Sequence, residues 1–141
     1  MSLLGIDFGD KRVGLAISHS EFLASEYKVL ENQGIKELVA EIGKICQEEN
    51  VEKIILGLPR EANQNEGEQA RKVRTFAKEL EALNLPLFLE DETLTSFEAE
   101  EILKDEGVKD ENLKNRVNSL SAKLILQQYL EHTVLKREGK S

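Results

Sequence analysis

The sequence predicts an α/β fold: a mixed five-stranded sheet, antiparallel through its first three strands and parallel afterwards, flanked by helices. Three observations carry this. Residues 3–18 hold two apolar runs joined by a Gly-Asp turn, the pattern of a hairpin. From residue 35 the apolar positions switch to helical spacing. Strand-like and helical segments then alternate, in the order β-β-β-α-β-α-β-α-α, and strands separated by helices pair in parallel. A chain of 141 residues, 40% of them hydrophobic, suffices for one layered core. The expected organisation is a single domain over residues 1–132 with a polar, frayed tail over 133–141.

The first two strands lie in "LLGIDFGDKRVGLAIS", where Gly9-Asp10 makes the turn because Gly tolerates positive φ and Asp supports turn geometry. "EYKVLEN" (26–32) is a third strand, mixed in polarity and so placed near a sheet edge. Leu38, Val39, Ile42, Ile45 and Cys46 share one face of a helix over 35–49. "EKIILGLP" follows, its Ile54-Ile55-Leu56 run suited to a strand buried on both faces. A polar loop, "REANQNEGE", leads to a second helix over 67–83 with Ala70, Val73, Ala77 and Leu80 inward. "LPLFLED" (85–91) is the fifth strand. "TSFEAEEILKDEG" reads as a third helix, capped by Thr95 or Ser96 and stopped at Gly107. "VNSLSAKLILQQYLE" (117–131) is the last, with Asn118 or Ser119 able to cap it and Leu120, Leu124 and Tyr129 near one stripe.

Composition narrows the function. No apolar run approaches the ~20 residues of a membrane span, and the first residues enter a strand without a basic segment followed by an apolar one. The expectation is a soluble, non-exported protein with no membrane partner. The lone Cys46 forms no internal disulfide and suits a reducing cytoplasm as a buried hydrophobe. With 19 Lys and Arg against 27 Asp and Glu, a formal charge of −8, nonspecific coating of nucleic acid by a basic field is excluded. Local basic clusters remain, Lys11-Arg12 among them.

Ligand sites in open α/β sheets gather at the carboxyl ends of strands. Those ends carry Asp7 on the first strand, Pro59 and Arg60 after the fourth, and Asp91-Glu92 after the fifth. An ionised carboxylate among apolar neighbours is costly unless paired or bound to a cation, so Asp7 needs a partner. Asp7 and Glu92 on neighbouring strands would repel each other unless a divalent cation lay between them, and hard oxygen ligands suit Mg²⁺ or Mn²⁺. A helix beginning near Asn118 would bring a third oxygen. Plain structural roles also fit: Asp7 as a turn cap, Glu92 as a solvated strand end, Asn118 as an N-cap, and His19 and His132 as isolated surface residues.

"LGIDFGDKRVGLA", "ILGLPREANQNEGEQA", "EDETLTSFEAE" and "VNSLSAKLILQQYL" together resemble the YqgF/RuvX-type family, in order and at the right spacing. That family is described as Holliday-junction resolvases and as nucleases maturing the precursor of 16S ribosomal RNA. The resemblance implies a ribonuclease-H-like fold in a bacterial, cytoplasmic protein. It also implies metal-assisted hydrolysis of phosphodiesters with Mg²⁺ or Mn²⁺, acting on precursor 16S rRNA or on branched DNA as monomer or homodimer. Asp7 matches the family's first-strand acid and Glu92 the Glu of its "DER" motif. Lys11 and Arg12, at the basic hairpin position, would hold phosphates, with Pro59, Arg60 and Thr95 completing the nucleic-acid contacts.

Two positions depart from the pattern. Asn118 stands where the family has an Asp, and Thr93 where the motif has an Arg. Asn offers a carbonyl oxygen but no charge. A unit charge 4 Å away is worth about 4 kcal/mol at an effective dielectric near 20. Even a fraction of that costs one to two orders of magnitude in metal binding or rate. Thr93 removes a bidentate phosphate donor. The alternative is therefore a weakened or inactive nucleic-acid-binding or ribosome-assembly protein on the same fold, or one that recruits Asp91, Asp110 or Glu111 instead. The hairpin also resembles the phosphate-binding hairpin of actin-like ATPases and sugar kinases, but no second such domain follows. "DFG" lacks the companions of a protein-kinase motif.

Overall fold

The computed structural model describes residues 2–59, 67–92, 95–108 and 110–139; the side chains of 95–97, 110–112, 114–115 and 134–139 lie outside that description. Strands β1 (Ser2–Phe8), β2 (Arg12–Ser18) and β3 (Ser25–Glu31) precede helix α1 (Ile35–Glu48). Strand β4 (Val51–Pro59), helix α2 (Glu68–Leu80) and strand β5 (Leu87–Glu92) follow, then helices α3 (Thr95–Asp105) and α4 (Asp110–Gly139). The sheet order is β3-β2-β1-β4-β5. β1–β2 and β2–β3 are antiparallel, whereas β1–β4 and β4–β5 are parallel, the mixed sheet the sequence predicts.

The two faces of the sheet are sorted by the period-2 alternation of its strands. Leu4, Ile6 and Phe8 of β1, Val13 and Leu15 of β2, and Ile54, Leu56 and Leu58 of β4 form one core with α1 and α2. Phe8 stacks on Phe76 of α2 with ring centroids 4.5 Å apart. On the opposite face Leu3, Ala16 and Ile55 pack against Ala122, Ile125, Leu126 and Leu130 of α4. A smaller cluster of Ala99, Leu103, Leu113 and Leu120 joins α3 to α4.

Helix α3 ends as its glycine dictates. Gly107 sits at φ +83°, its N–H bonds the Lys104 carbonyl (2.9 Å), and the N–H of Val108 reaches back to Leu103 (2.9 Å). This is the paired bonding of a Schellman stop. The two-residue link from α1 to β4 needs a left-handed residue, supplied by Asn50 at φ 53°.

The largest difference from expectation is α4. It begins at Asp110, not near Asn118, and continues to Gly139, beyond the predicted end at residue 131. Leu113, buried in the α3–α4 cluster, gives the extra turns an apolar contact that no cap residue advertises. The stripe expected from Leu120, Leu124 and Tyr129 is only the flank of the helix. Its sheet-facing line is Ala122, Ile125, Leu126 and Leu130. β5 also extends one residue further than predicted, so Glu92 ends the strand instead of following it.

Close docking of α4 depends on glycines. A Cβ on Gly14 would overlap the backbone of Asn118, and one on Gly5 would stand 2.8 Å from Leu126 Cβ. Gly14→Ala is therefore expected to lower stability by at least ~1–3 kcal/mol, the cost of overpacking a tight interface, as read by urea denaturation.

Candidate active site

Leu3, Gly5 and Asp7 alternate onto the α4 face of β1. Asp7 therefore points beneath the helix and is only 9% exposed. Its register partner on β2 is Gly14, and on the other side Ile6 pairs with Leu56, which sets Gly57 of β4 beside Asp7. Asp7 is thus flanked on both neighbouring strands by residues without side chains.

Glu92 occupies the space so created. It pairs with Pro59 across β4–β5, and its Oε2 would stand 2.6 Å from a Cβ on Gly57. The carboxylate therefore lies over β4 on the side of Asp7. α4 helps fix this end of β5: Gln128 Nε2 donates to Glu90 Oε2 (2.8 Å) and to the Asp91 carbonyl (3.1 Å). Among the described residues, Glu92 Oε2 is a buried atom without a hydrogen-bond partner.

The electrostatics follow from this burial. Loss of water raises the Asp7 carboxyl from its ordinary range to about 6. Glu92 is pushed up to about 9, first by burial and then by the negative charge of Asp7. The two titrate as a pair, which without a cation retains a proton at neutral pH.

Asn118 is interior to α4, so it is not the N-cap of that helix. Its backbone nevertheless lies against Gly14, the register partner of Asp7. The helix thus brings Asn118 to the Asp7 side of the sheet by packing, not by its start. Among the described residues no group of three or more His, Cys, Asp or Glu gathers as a metal centre. Asp91 alternates away from the α4 face and is exposed. The side chains of Asp110 and Glu111 lie outside the description.

Lys11 and Arg12 lie at the β1–β2 turn, beyond Asp7 along the strand. With Asp10, Glu31, Asn32 and Gln33 they line an open cleft of about 290 Å³. The turn is held from two sides. Asn32 donates its side-chain amide to the Gly9 carbonyl (2.9 Å) and its backbone N–H to the Lys11 carbonyl (2.9 Å), while Lys72 of α2 pairs with Asp10 (3.2 Å). Pro59 ends β4, half-buried beside Glu92. Arg60 and Thr93 lie outside the described residues, and Thr95 begins α3 with its side chain outside the description.

Several site-forming residues were not signalled as such. Gly5, Gly14 and Gly57 recur at the α4-facing positions of three adjacent strands, a spacing visible in the sequence once the strand faces are known. Ser121 of α4 is fully buried, and its hydroxyl too has no partner among the described residues. His19 and His132 are exposed as expected but not isolated: His19 Nδ1 shares a hydrogen bond with Ser2 Oγ (2.8 Å), and His132 Nδ1 lies 3.3 Å from Glu90. Cys46 is buried, its thiol raised to about 11 by desolvation, and so is unreactive.

Comparison with known proteins gives a consistent result. The profile of the family described as RuvX, Holliday junction resolvase, matches residues 1–132. A relative from Thermosynechococcus vestitus named "Putative pre-16S rRNA nuclease" is 42% identical over 133 residues, covering 93% of this chain and 88% of its own. One of the same name from Maridesulfovibrio salexigens is 41% identical, covering 92% and 98%. Among solved structures, RuvC of T. thermophilus in complex with a Holliday junction substrate superposes with TM-score 0.59 at 15% identity, over 99% of this chain and 97% of that one. At that identity the likeness is one of fold, and the fold is ribonuclease-H-like. No helix among the described residues is long and apolar enough to cross a membrane.

The raised carboxyls make a stability prediction. A group whose pKa rises on folding stabilises the fold fully below its unfolded value and loses that contribution as pH climbs through the folded one. With chelator present, melting temperature should fall from pH 5 to pH 9, the window set by Glu92. Glu92→Gln, which cannot ionise, should flatten the profile and exceed the parent at pH 8 by ~1 kcal/mol or more.

Proposed function

Because the chain belongs to the RuvX family of Holliday junction resolvases, we propose that it is a nuclease hydrolysing phosphodiester bonds at the Asp7–Glu92 pair with a divalent cation. The observation that carries this is the buried, unpartnered Oε2 of Glu92 against Gly57 and on the side of Asp7. A buried acceptor with no donor fits a hard cation, and two carboxylates offer oxygen ligands of the type that Mg²⁺ or Mn²⁺ takes. Asp7 and Glu92 would hold the ion, with the Asn118 carbonyl oxygen as an uncharged third contribution. When bound, the ion lowers the pKa of attacking water and offsets charge on the leaving oxygen.

The chain's own groups do the rest. Burial beneath α4 keeps the pair in a weakly screening environment, where the two carboxylates repel each other and a phosphate alike, so that a cation between them is favoured. Without the ion the pair holds a proton on Glu92, so ion binding at neutral pH must release it. Lys11 and Arg12 at the turn contact the substrate backbone and set its register, a role that Pro59, Arg60 and Thr95 are proposed to share. The names of the relatives favour precursor 16S rRNA as substrate; the working unit is a monomer or a homodimer, and paired cuts on a four-way DNA junction would require the homodimer.

Asn118 favours a second reading, a binding protein with little turnover, because the third ligand carries no charge. Mn²⁺-dependent cleavage of a structured precursor-rRNA fragment, run beside a four-way DNA junction, separates the two. Cleavage of the RNA by the parent, abolished in Asp7→Asn with the melting curve retained, is expected. Asn118→Asp should raise the rate about ten- to a hundredfold at limiting Mn²⁺. Binding without cleavage by the parent would instead support the second reading. Replacing Lys11 and Arg12 together by Ala should raise KM, leave kcat nearly unchanged and reduce the salt dependence of binding by about one to two counterions.

A further inference from the structure

Ser121 is buried in the middle of α4 with its hydroxyl unpartnered among the described residues. A hydroxyl inside a helix usually turns back to the carbonyl one turn earlier. Thr75 and Thr133 of this chain do so, to Arg71 O (3.1 Å) and Tyr129 O (2.9 Å). Ser121 makes no such bond. Something other than helix geometry is left for it to meet.

Its position follows from the glycine contacts. Asn118 lies over Gly14 of β2, and Ile125 over Gly57 of β4. Those seven residues advance about 10.5 Å at 1.5 Å each, which matches the roughly 9.6 Å of two strand spacings, so α4 crosses the sheet from β2 to β4. Ser121 therefore stands above β1. At about 100° per residue, Ser121 projects about 60° to one side of the Asn118–Ile125 line, and Ala122 and Leu126 to the other. Ala122 O and Leu126 lie over Gly5. Because Gly14 and Gly57 flank Asp7, the line crosses β1 at Asp7, and the Ser121 flank faces away from Gly5, over the carboxyl end of the strand that carries Asp7.

Two buried oxygens without partners, Ser121 Oγ and Glu92 Oε2, are thus set by the strand and helix geometry on the Asp7 side of the sheet. We infer that Ser121 is a positioning residue of this centre, its hydroxyl hydrogen-bonding the hydration shell of the divalent cation beside Asp7 and Glu92. The inference rests on the cation reading proposed above. Small hard cations keep several waters, and polar groups one shell out hold those waters in place.

Titration calorimetry of Mn²⁺ on the full chain, with melting curves in chelator, tests it. Ser121→Ala is expected to bind Mn²⁺ about tenfold more weakly, while its metal-free melting temperature stays equal or rises because an unsatisfied hydroxyl has gone. Unchanged Mn²⁺ affinity in Ser121→Ala, whether or not the metal-free protein is destabilised, would overturn the assignment and leave Ser121 a structural residue. Asp7→Asn is the control. If Asp7→Asn bound Mn²⁺ as tightly as the parent, the cation reading itself would fail and this inference with it; if only Ser121→Ala were normal, this inference alone would fail.

Discussion

Glu92 can approach Asp7 because the residue between them on β4 is Gly57. Any Cβ there would stand 2.6 Å from Glu92 Oε2, so the acid would have to swing away from the central strand. The same absence of side chains at Gly14 and Gly5 lets α4 settle onto the sheet and exclude water from above Asp7. Helix docking, carboxyl burial and the raised pKa values are therefore one constraint seen at three levels. Loosening the glycine strip would hydrate the acids and remove the reason for their pairing.

Charge balance gives a physical meaning to Asn118. Two carboxylates carry −2 when ionised, which a divalent cation neutralises, and a neutral cluster is the least costly one to bury. A third acid would leave the occupied centre at −1, binding the ion more tightly at a greater desolvation cost. With Asn at 118 a cation held by the two acids would make a neutral centre, and without one the pair keeps a proton. The whole chain is acidic, at −8, so the basic turn at Lys11 and Arg12 is local and suits a substrate held at one place on the backbone.

Much of this was legible in the sequence, for identifiable reasons. The period-2 runs of β1 and β2 and the doubly buried Ile54-Ile55-Leu56 of β4 specify strand faces directly, and Gly107 marks the end of α3. Asp7 and Glu92 stood out because acids at strand ends need partners. The start of α4 was hidden: Leu113 makes its contact through α3, a tertiary partner that no local pattern announces. Local sequence accordingly offers Asn118 as a cap, whereas its placement comes from backbone packing on Gly14. Ser121 and Gly57 are small residues whose importance lies in what adjoins them, so they emerge only when strands and helix are superposed.

We propose that Asp7 and Glu92 share one cation. This is tested most directly by a crystal structure of the full chain grown with Mn²⁺ near pH 8, with anomalous diffraction collected at the manganese edge. A shared ion gives a peak at coordinating distance from both carboxylates, beneath α4 and beside Gly57. Full-strength Mn²⁺ elsewhere, with no density between the two acids and Glu92 turned away from Asp7, would contradict it.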